Sequence, residues 1–451
     1  MCNNNGHCRK FDAGTMCPSY RVTRDEQHVT RGRANTLRLA VSGQLGEEGL
    51  ASEDVKAVLD LCVSCKGCKR DCPTGVDMAR MKIEARHAWA RRHGLTLRDR
   101  LVAFMPRYAP LASRMPALMA LADRIPLLSA WARRALGFAP QRSLPRWQRS
   151  FLSTIARAGR GDATPATAGA GAATGTASLA ASSSQPLRDA AAGGIREVVL
   201  FVDTFNNHME PENARAAQAV LEAAGYTVHP LMRPGERPLC CGRTFLAAGL
   251  VEQARQEARR LLDAVQPYVA RGVPIVGLEP SCLLSLRDEF LGYGYGDEAA
   301  RLAAGAFLFE EFLVRERQAG RLSLKQLALQ PLPQREALVH GHCHQKAFDA
   351  FTPVQTVLGW IPQLKVSPIQ SSCCGMAGSF GYEAEHYEAS LAMAELSLLP
   401  AVRARTDDAI VVADGTSCRH QILDGADAQA WHVARVLAAA LTARAAAAVT
   451  D

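Results

Sequence analysis

The run Cys62-x2-Cys65-x2-Cys68-x3-Cys72-Pro73 places three thiols at two-residue intervals and a fourth just beyond them. Three closely spaced thiolates grip one face of an iron–sulfur cubane, and in the bacterial form of this spacing the last Cys-Pro serves a second cluster. A partner set is therefore required, and Cys2, Cys8 and Cys17-Pro18 supply it. Reciprocal pairing predicts that Cys17 completes the cluster of Cys62, Cys65 and Cys68, and that Cys72 joins Cys2 and Cys8. This second set is one thiolate short. Asn5 stands where its middle ligand belongs, leaving His7, a water or a three-iron cluster to compensate. Zinc is the alternative for 62–72, although zinc sites usually pair two separated C-x2-C elements. For Cys2 and Cys8 the alternative is a pair of ordinary thiols. Lys66, Lys69 and Arg70, between the ligands, either offset the charge of a thiolate-bound cluster or are surface charges.

The remaining cysteines belong to an internal repeat. Leu239-Cys240-Cys241-Gly242 precedes an amphipathic helix, a strand over 273–278 and then Glu279-Pro280-Ser281-Cys282. Ser372-Cys373-Cys374-Gly375 precedes a helical stretch, a strand over 409–413 and then Asp414-Gly415-Thr416-Ser417-Cys418. Each half opens with a further strand, 197–203 and 337–340, and only the second leads to a cysteine, Cys343 within His342-Cys343-His344. Near Thr204 and Phe205 the first half has none. Cysteines at the carboxyl ends of strands in an α/β sheet lie along its crevice and converge on one site. Helix N-termini at the same places lower thiol pKa. His340, His342 and His344 alternate, which puts them on one face if the strand continues.

The elements that position these groups change along the chain. Residues 1–90 carry half of the fourteen cysteines. Residues 91–157 are cysteine-free, helix-like and basic: 86–160 hold fifteen arginines, no lysine, and only Asp99 and Asp123 as acids. The stretch 158–195 is mostly Ala, Gly, Ser and Thr, too small in side-chain volume to bury a core, and reads as a flexible linker. From 196 onward, short β-branched runs alternate with amphipathic helices, the pattern of a parallel α/β sheet. The repeat divides this part into 196–330 and 331–445. Fourteen cysteines in a chain without a signal-peptide pattern or an apolar run of spanning length point to metal chemistry in the cytoplasm rather than to disulfides.

The repeat resembles the CCG, or cysteine-rich, domain of the heterodisulfide reductase B subunit and of the glycolate oxidase iron–sulfur subunit. Cys2-Asn-Asn-Asn-Gly-His-Cys8, Met16-Cys17-Pro18-Ser19-Tyr20, Thr30-Arg31-Gly32-Arg33-Ala34-Asn35, Leu61-Cys62-Val-Ser-Cys65 and Cys373-Cys374-Gly375-Met376-Ala377-Gly378-Ser379-Phe380-Gly381 resemble the iron–sulfur portion of bacterial FAD-dependent 2-hydroxyacid dehydrogenases. The fold implied is an α-helical two-cluster ferredoxin-type domain followed by an α/β tandem CCG domain. The fullest family pattern has an upstream Cys, the Cys-Cys-Gly and a closing C-x2-C, and neither repeat has the whole set. Cys343, Cys373, Cys374 and Cys418 suffice for one four-thiolate cluster, with Gln421 at the last position. Cys240, Cys241 and Cys282, with Ser285 at the last position, form a degenerate site or lend ligands to a shared one. A zinc shell of Cys343 with His342 or His344 competes.

The resemblance implies 4Fe-4S clusters at these cysteine sets, no catalytic residue for hydride abstraction in this chain, and electrons passed from a partner FAD to a quinone or cytochrome. The hydroxyacid, whether lactate, glycolate or 2-hydroxyglutarate, is selected by the flavin half. That half is expected on a separate FAD-binding subunit, or in a longer reading frame of which this is a product. The alternatives are a heterodisulfide-reductase-like thiol/disulfide reductase and a zinc-stabilised interaction module without a redox role. Segments 101–105, 118–121 and 125–128, between arginines, suit peripheral contact with anionic lipid on the inner face of the membrane, or a helical packing unit. Nucleic acid is disfavoured, because Tyr108, Trp131 and Trp147 are sparse among the arginines and no reader motif accompanies them.

Overall fold

Short runs such as Glu-Val-Val-Leu-Phe and Ala-Ile-Val-Val-Ala are apolar on both faces, which suits a parallel sheet covered on both sides by helices. The computed structural model describes residues 2–11, 15–123, 126–161 and 196–441, with the side chains of 120–128 and 158–161 outside that description. The expected linker lies almost wholly outside the described residues. In the C-terminal portion Glu197–Phe201 (β1), Thr227–Pro230 (β2), Ile275–Gly277 (β3) and Ala306–Leu308 (β4) form one sheet, and Glu336–His340 (β5), Lys365–Pro368 (β6), Ala409–Ala413 (β7) and Ala430–Trp431 (β8) another. Their orders are β2-β1-β3-β4 and β6-β5-β7-β8, all pairs parallel. The sequence repeat is thus a repeat of topology. Pro230 and Pro368 close the edge strands β2 and β6, where a missing N–H breaks no interior ladder.

In each sheet the strand order reverses beside the central pair, β1/β3 and β5/β7, and the crevice opens at their carboxyl ends. The helix after β5 starts at Cys343, and those after β3 and β7 carry Cys282 and Cys418. The two sheets share one apolar core: Leu200, Leu221 and Phe312 from the first lie in the same buried cluster as Val339, Val412 and Leu437 from the second. The alternation predicted for the three histidines does not hold. β5 ends at His340, His342 caps the next helix through Nδ1, and His344 lies within that helix, because the chain turns at Gly341 to present Cys343.

Around the N-terminal cysteines pack the helices Pro18–Thr23, Thr30–Val41, Glu53–Asp60, Gly67–Asp71 and Met78–His93. Pro18 sits at a first helical position, and Ser52 and Asp77 accept the amides of Val55 and Arg80 as N-caps. This unit is docked on the sheets by charge. Lys66, 3% exposed, donates to Asp288 at 2.5 Å and Glu289 at 2.6 Å; Lys69 reaches Asp288 at 2.8 Å, and Arg70 reaches Asp349 at 2.6 Å. Carboxylates of the C-terminal half thus hold Lys66 and Lys69, and Arg70 pairs with the exposed Asp349 at the surface. His386 bridges the halves too, with Nδ1 2.7 Å from Glu383 and Nε2 2.8 Å from Asp60.

The basic segment forms the helices Leu97–Ala103, Met105–Ala112, Pro116–Asp123, Pro126–Ala135 and Phe151–Gly161. Several of its arginines are packing elements. Arg142, 1% exposed, donates to Gly381 O and Ser390 Oγ, Arg98 pairs with Glu385, and Arg107 lies over the rings of Phe104 and Phe245. Leu97, Leu111, Met115, Leu118 and Trp131 are exposed; the side chains of 125–128 lie outside the described residues. Among the described residues no helix is long and apolar enough to cross a membrane.

Burial works against a charged His386, but its bonds to Asp60 and Glu383 win and raise its pKa from 6.5 to about 9. Its contribution is complete below 6.5 and is lost as pH rises through about 9. We predict that the unfolding free energy of the wild type, from denaturant titrations, falls between these pH values by about 1–2 kcal/mol after solvent screening at the half-exposed Asp60, and that His386→Gln removes this contribution. Gly375 has φ 81°, and a Cβ there would meet Ser390 O at 2.3 Å. Gly375→Ala is predicted to cost about 2 kcal/mol or more by the same measurement.

Candidate metal centres

All fourteen cysteines are free thiols, twelve of them buried. Cys17, Cys62, Cys65 and Cys68 line one small cavity of about 20 Å³, with Met16, Thr30, Arg33 and Met78 completing its wall. Local structure explains the convergence. Cys17 precedes Pro18 at the start of one helix, while positive φ at Ser64 and Lys66 (49° and 59°) folds 62–68 back on itself. The thiols meet hydrogen-bond donors: the Met78 amide approaches Cys68 Sγ at 3.4 Å, and Thr30 Oγ1 lies 2.8 Å from Cys17 Sγ.

The N-terminus of Thr30–Val41 serves both N-terminal sets at once, since the Thr30 amide faces Cys17 and the Arg31 amide faces Cys8. Gly32 lets this helix end approach, because a Cβ there would lie 1.9 Å from Glu26 O. Arg33, 2% exposed, donates to Val58 O and Ser19 Oγ and faces Cys17 and Cys62. Burial raises Cys17, Cys65 and Cys68, whereas at Cys62 the charges of Arg33 and Lys82 outweigh burial and lower the thiol.

Cys2, Cys8 and Cys72 gather more loosely. Cys8 is buried in the same apolar cluster as Cys17 and Cys62, with Cys2 and Cys72 partly buried against it. Cys2 is near enough for its charge to act on Cys8, and Cys72 ends the helix Gly67–Asp71, its Sγ 3.2 Å from Thr74 Oγ1. Asn5 makes local bonds instead, its Oδ1 accepting the His7 amide at 2.9 Å and its Nδ2 donating to Asn3 at 2.7 Å.

In the second sheet Cys343, Cys373, Cys374 and Cys418 form a continuous series of thiol contacts, 343 to 373 to 374 to 418. Contact with Cys373 pulls Cys343 down to about 7 against the cost of burial, and bonds from Cys373, Cys418 and His340 hold Cys374 well below the ordinary thiol value. Its bond to Cys374 and then burial raise Cys418, despite its place in the first turn of a helix. The donor atoms of His340, Cys374 and Cys418 all lie within 4.8 Å of one another. Burial lowers His340 to about 4, which leaves a neutral imidazole of the kind metals take. His344 instead lies 3.1 Å from Ser64 O, and the Lys346 ammonium, which donates to the carbonyls of Ser371 and Ser372, feels the charge of all four thiols.

In the first sheet Cys241 contacts both Cys240 and Cys282. Despite the bond with Cys241, burial and the carboxylates of Asp203 and Glu279 lift Cys282 to about 12. Ser285 Oγ bonds back to Ser281 O at 2.8 Å, and Gln421 Nε2 donates to Ser390 O at 3.1 Å. Thr204, the counterpart of Cys343, opens a helix whose Phe205 and Asn206 amides donate to Asp203. The sites are neighbours. Cys65 is raised, after burial, chiefly by Cys343, and the two lie in one buried cluster with Cys373, Cys374 and Cys418; Arg243 faces Cys241, Cys282 and Cys343.

The donor sets fit iron–sulfur groups: free, mostly buried, closely grouped thiols, amide N–H groups aimed at sulfur, and the cations Arg33 and Lys82 beside Cys62. Sequence reading passed over Arg33, Lys82, Arg243, His340 and Lys346 as charge partners and donors. Arg243 directly follows Cys-Cys-Gly and Lys346 lies one helical turn after Cys343, which were the available signals.

Residues 1–76 match the 4Fe-4S dicluster domain family and residues 200–287 the cysteine-rich domain family. The chain is 25% identical to D-2-hydroxyglutarate dehydrogenase of Escherichia coli (strain K12) over 93% of its length, and spans only 41% of that protein. It is 28% identical to one subunit of the anaerobic glycerol-3-phosphate dehydrogenase of the same strain, over 54% of this chain and 59% of the relative. With that strain's glycolate oxidase iron-sulfur subunit the identity is 23%, over 83% and 79%.

Arg33→Met is predicted to lower iron affinity of the reconstituted chain about 10–100-fold, with Arg33→Lys recovering part of it, as read by iron content after competition with a chelator. By its domains, this is an iron–sulfur chain that joins a 4Fe-4S dicluster domain to a cysteine-rich domain, similar over most of its length to components of oxidoreductases.

Proposed function

We propose that this chain is the iron–sulfur electron-transfer component of a flavin-dependent 2-hydroxyacid dehydrogenase, working with an FAD-binding partner or domain and passing electrons to a quinone or cytochrome. The observation that carries the reading is the packing of the Cys62–Cys68 loop on the second cysteine-rich site, where Cys65 and Cys343 share one buried cluster. Cys17, Cys62, Cys65 and Cys68 would hold one 4Fe-4S cluster. Cys2, Cys8 and Cys72 would hold a second, short of a ligand, and Cys343, Cys373, Cys374 and Cys418, with His340 as a further donor, a third. Bound there, such groups supply one-electron transfer at potentials set by their ligands and surroundings.

The chain's own residues do the rest. Burial keeps water from the thiols, the amides of Thr30, Met78, Gly242 and Gly375 stabilise thiolate charge, and Arg33, Lys346 and Arg243 balance it. The absence of a C-x2-C ending in both repeats disfavours a thiol/disulfide reductase, since Ser285 and Gln421 cannot ligate as cysteines do.

Anaerobic purification tests this reading. A brown, oxygen-sensitive chain with an iron EPR signal after reduction is the expected result, with Cys17→Ala removing the largest part of it. Colourless protein with stoichiometric zinc after reconstitution would overturn the proposal in favour of a zinc-stabilised module.

A further inference from the structure

Beside the four thiols of the second cysteine-rich site stands a donor of another kind. His340 ends β5 and is 1% exposed, and its donor nitrogen lies within 4.8 Å of both Cys374 Sγ and Cys418 Sγ. Nδ1 lies 2.8 Å from Ser371 Oγ, whereas Nε2 is buried with no hydrogen-bond partner among the described residues. Leaving a buried imidazole nitrogen without a partner costs free energy unless something binds it. The group it faces is the Cys374 thiol.

Ser371 places the ring proton. Lys346 Nζ donates to Ser371 Oγ at 3.2 Å, and the hydroxyl's own hydrogen has Ile369 O as acceptor at 3.5 Å, so this oxygen is free to accept from Nδ1–H. That tautomer keeps the lone pair on Nε2, on the side of the thiols. Metal-binding histidines are held in the same way, by a hydrogen bond from the other ring nitrogen. The neighbouring histidines are committed elsewhere. His342 Nδ1 accepts the His344 amide at 3.1 Å, which leaves its proton on Nε2, and His344 Nε2 donates to Ser64 O at 3.1 Å. Of the three, only His340 has a buried ring nitrogen without a partner. Gln421 Oε1 is also buried and unpartnered, but an amide oxygen suits magnesium or calcium, whereas imidazole suits iron.

We propose that His340 Nε2 is a direct iron ligand at the second cysteine-rich site, a fifth donor beside Cys343, Cys373, Cys374 and Cys418. The inference rests on the iron–sulfur reading above and concerns how that group is held. Five is also the number of cysteines in the fullest Cys-Cys-Gly pattern, and Gln421 stands where the last of them belongs. The imidazole binds through its lone pair, so Nδ1 keeps its proton and none is released. Because the ring is neutral, it brings no negative charge, and the bound group has a higher potential than a thiolate in the same place would give it.

The test uses the full chain, reconstituted anaerobically with iron and sulfide, reduced with dithionite and read by pulsed EPR with and without isotope-labelled histidine. A strong nitrogen coupling that changes with the label is expected, and no histidine lines the first cavity to supply one. His340→Cys should abolish the coupling, retain the iron and lower the potential of the second-site signal, a combination that a merely structural histidine would not give. His340→Gln, read beside it, should lose the coupling as well, whereas His7→Gln, His342→Gln and His344→Gln should each keep it. A wild type without strong histidine coupling, or a coupling that survives in His340→Cys, overturns the proposal. A chain with no reducible iron–sulfur signal would contradict the iron–sulfur reading itself, and the proposal with it.

Discussion

The arrangement depends on one buried ammonium. Lys66 lies inside the Cys62–Cys72 ligand run, yet its partners, Asp288 and Glu289, belong to the first cysteine-rich sheet. Arg243 and Lys66 outweigh the cost of burying Glu289, and Lys66 does the same for Asp288, so both carboxyls are held below their ordinary values. Removing the cation would leave Glu289 to Arg243 and Asp288 to Lys69, a loss smaller than the roughly 3–5 kcal/mol of a fully unpaired buried charge. The consequence is positional. A residue one place after Cys65 is fixed against the sheet, and so Cys65 is fixed against Cys343. His386 fixes the opposite side of the same contact, and between the two anchors the thiol cavity and the second cysteine-rich site cannot separate without unpairing buried charge.

That constraint explains how buried thiols can be tolerated. Burial pushes most of them up, and the exceptions are those with a specific partner: Arg33 and Lys82 for Cys62, Cys373 for Cys343, and the Cys373–Cys418–His340 surroundings for Cys374. Each of these partners is itself held by backbone or sheet geometry, as Arg33 is by Val58 O and Ser19. The sites are therefore shaped before any group binds, and a metal group would replace mutual thiol contacts with bonds to cation centres.

Much of this was legible in the sequence for a physical reason: ligand spacing and strand–cysteine–helix punctuation are local. Cys17 joins the wall formed by 62–68, the strand Ala409–Ala413 was read at its observed bounds, and the two cysteine-rich halves repeat one strand order. What was not legible is non-local or short. The three-residue β4 and two-residue β8 carry too few residues to show periodicity. The pairing of Lys66 with residues more than two hundred positions away has no sequence signal, and so the cations of the ligand loop were assigned to the cluster or to solvent. The alternating histidines misled because Gly341 breaks the strand between His340 and His342, sending one imidazole to Cys374, one to a helix cap and one to Ser64.

The central claim is that the site of Cys17, Cys62, Cys65 and Cys68 and the site of Cys343, Cys373, Cys374 and Cys418 are adjacent electron carriers. The most direct measurement is the EPR spectrum of the fully reduced, anaerobically reconstituted chain, compared with that of Cys418→Ser. Adjacency predicts a broadened or split spectrum from two interacting paramagnets, which collapses in Cys418→Ser to the simple signal of the first site. A wild-type spectrum that is the plain sum of independent signals, or one that Cys418→Ser leaves unchanged, would contradict the account.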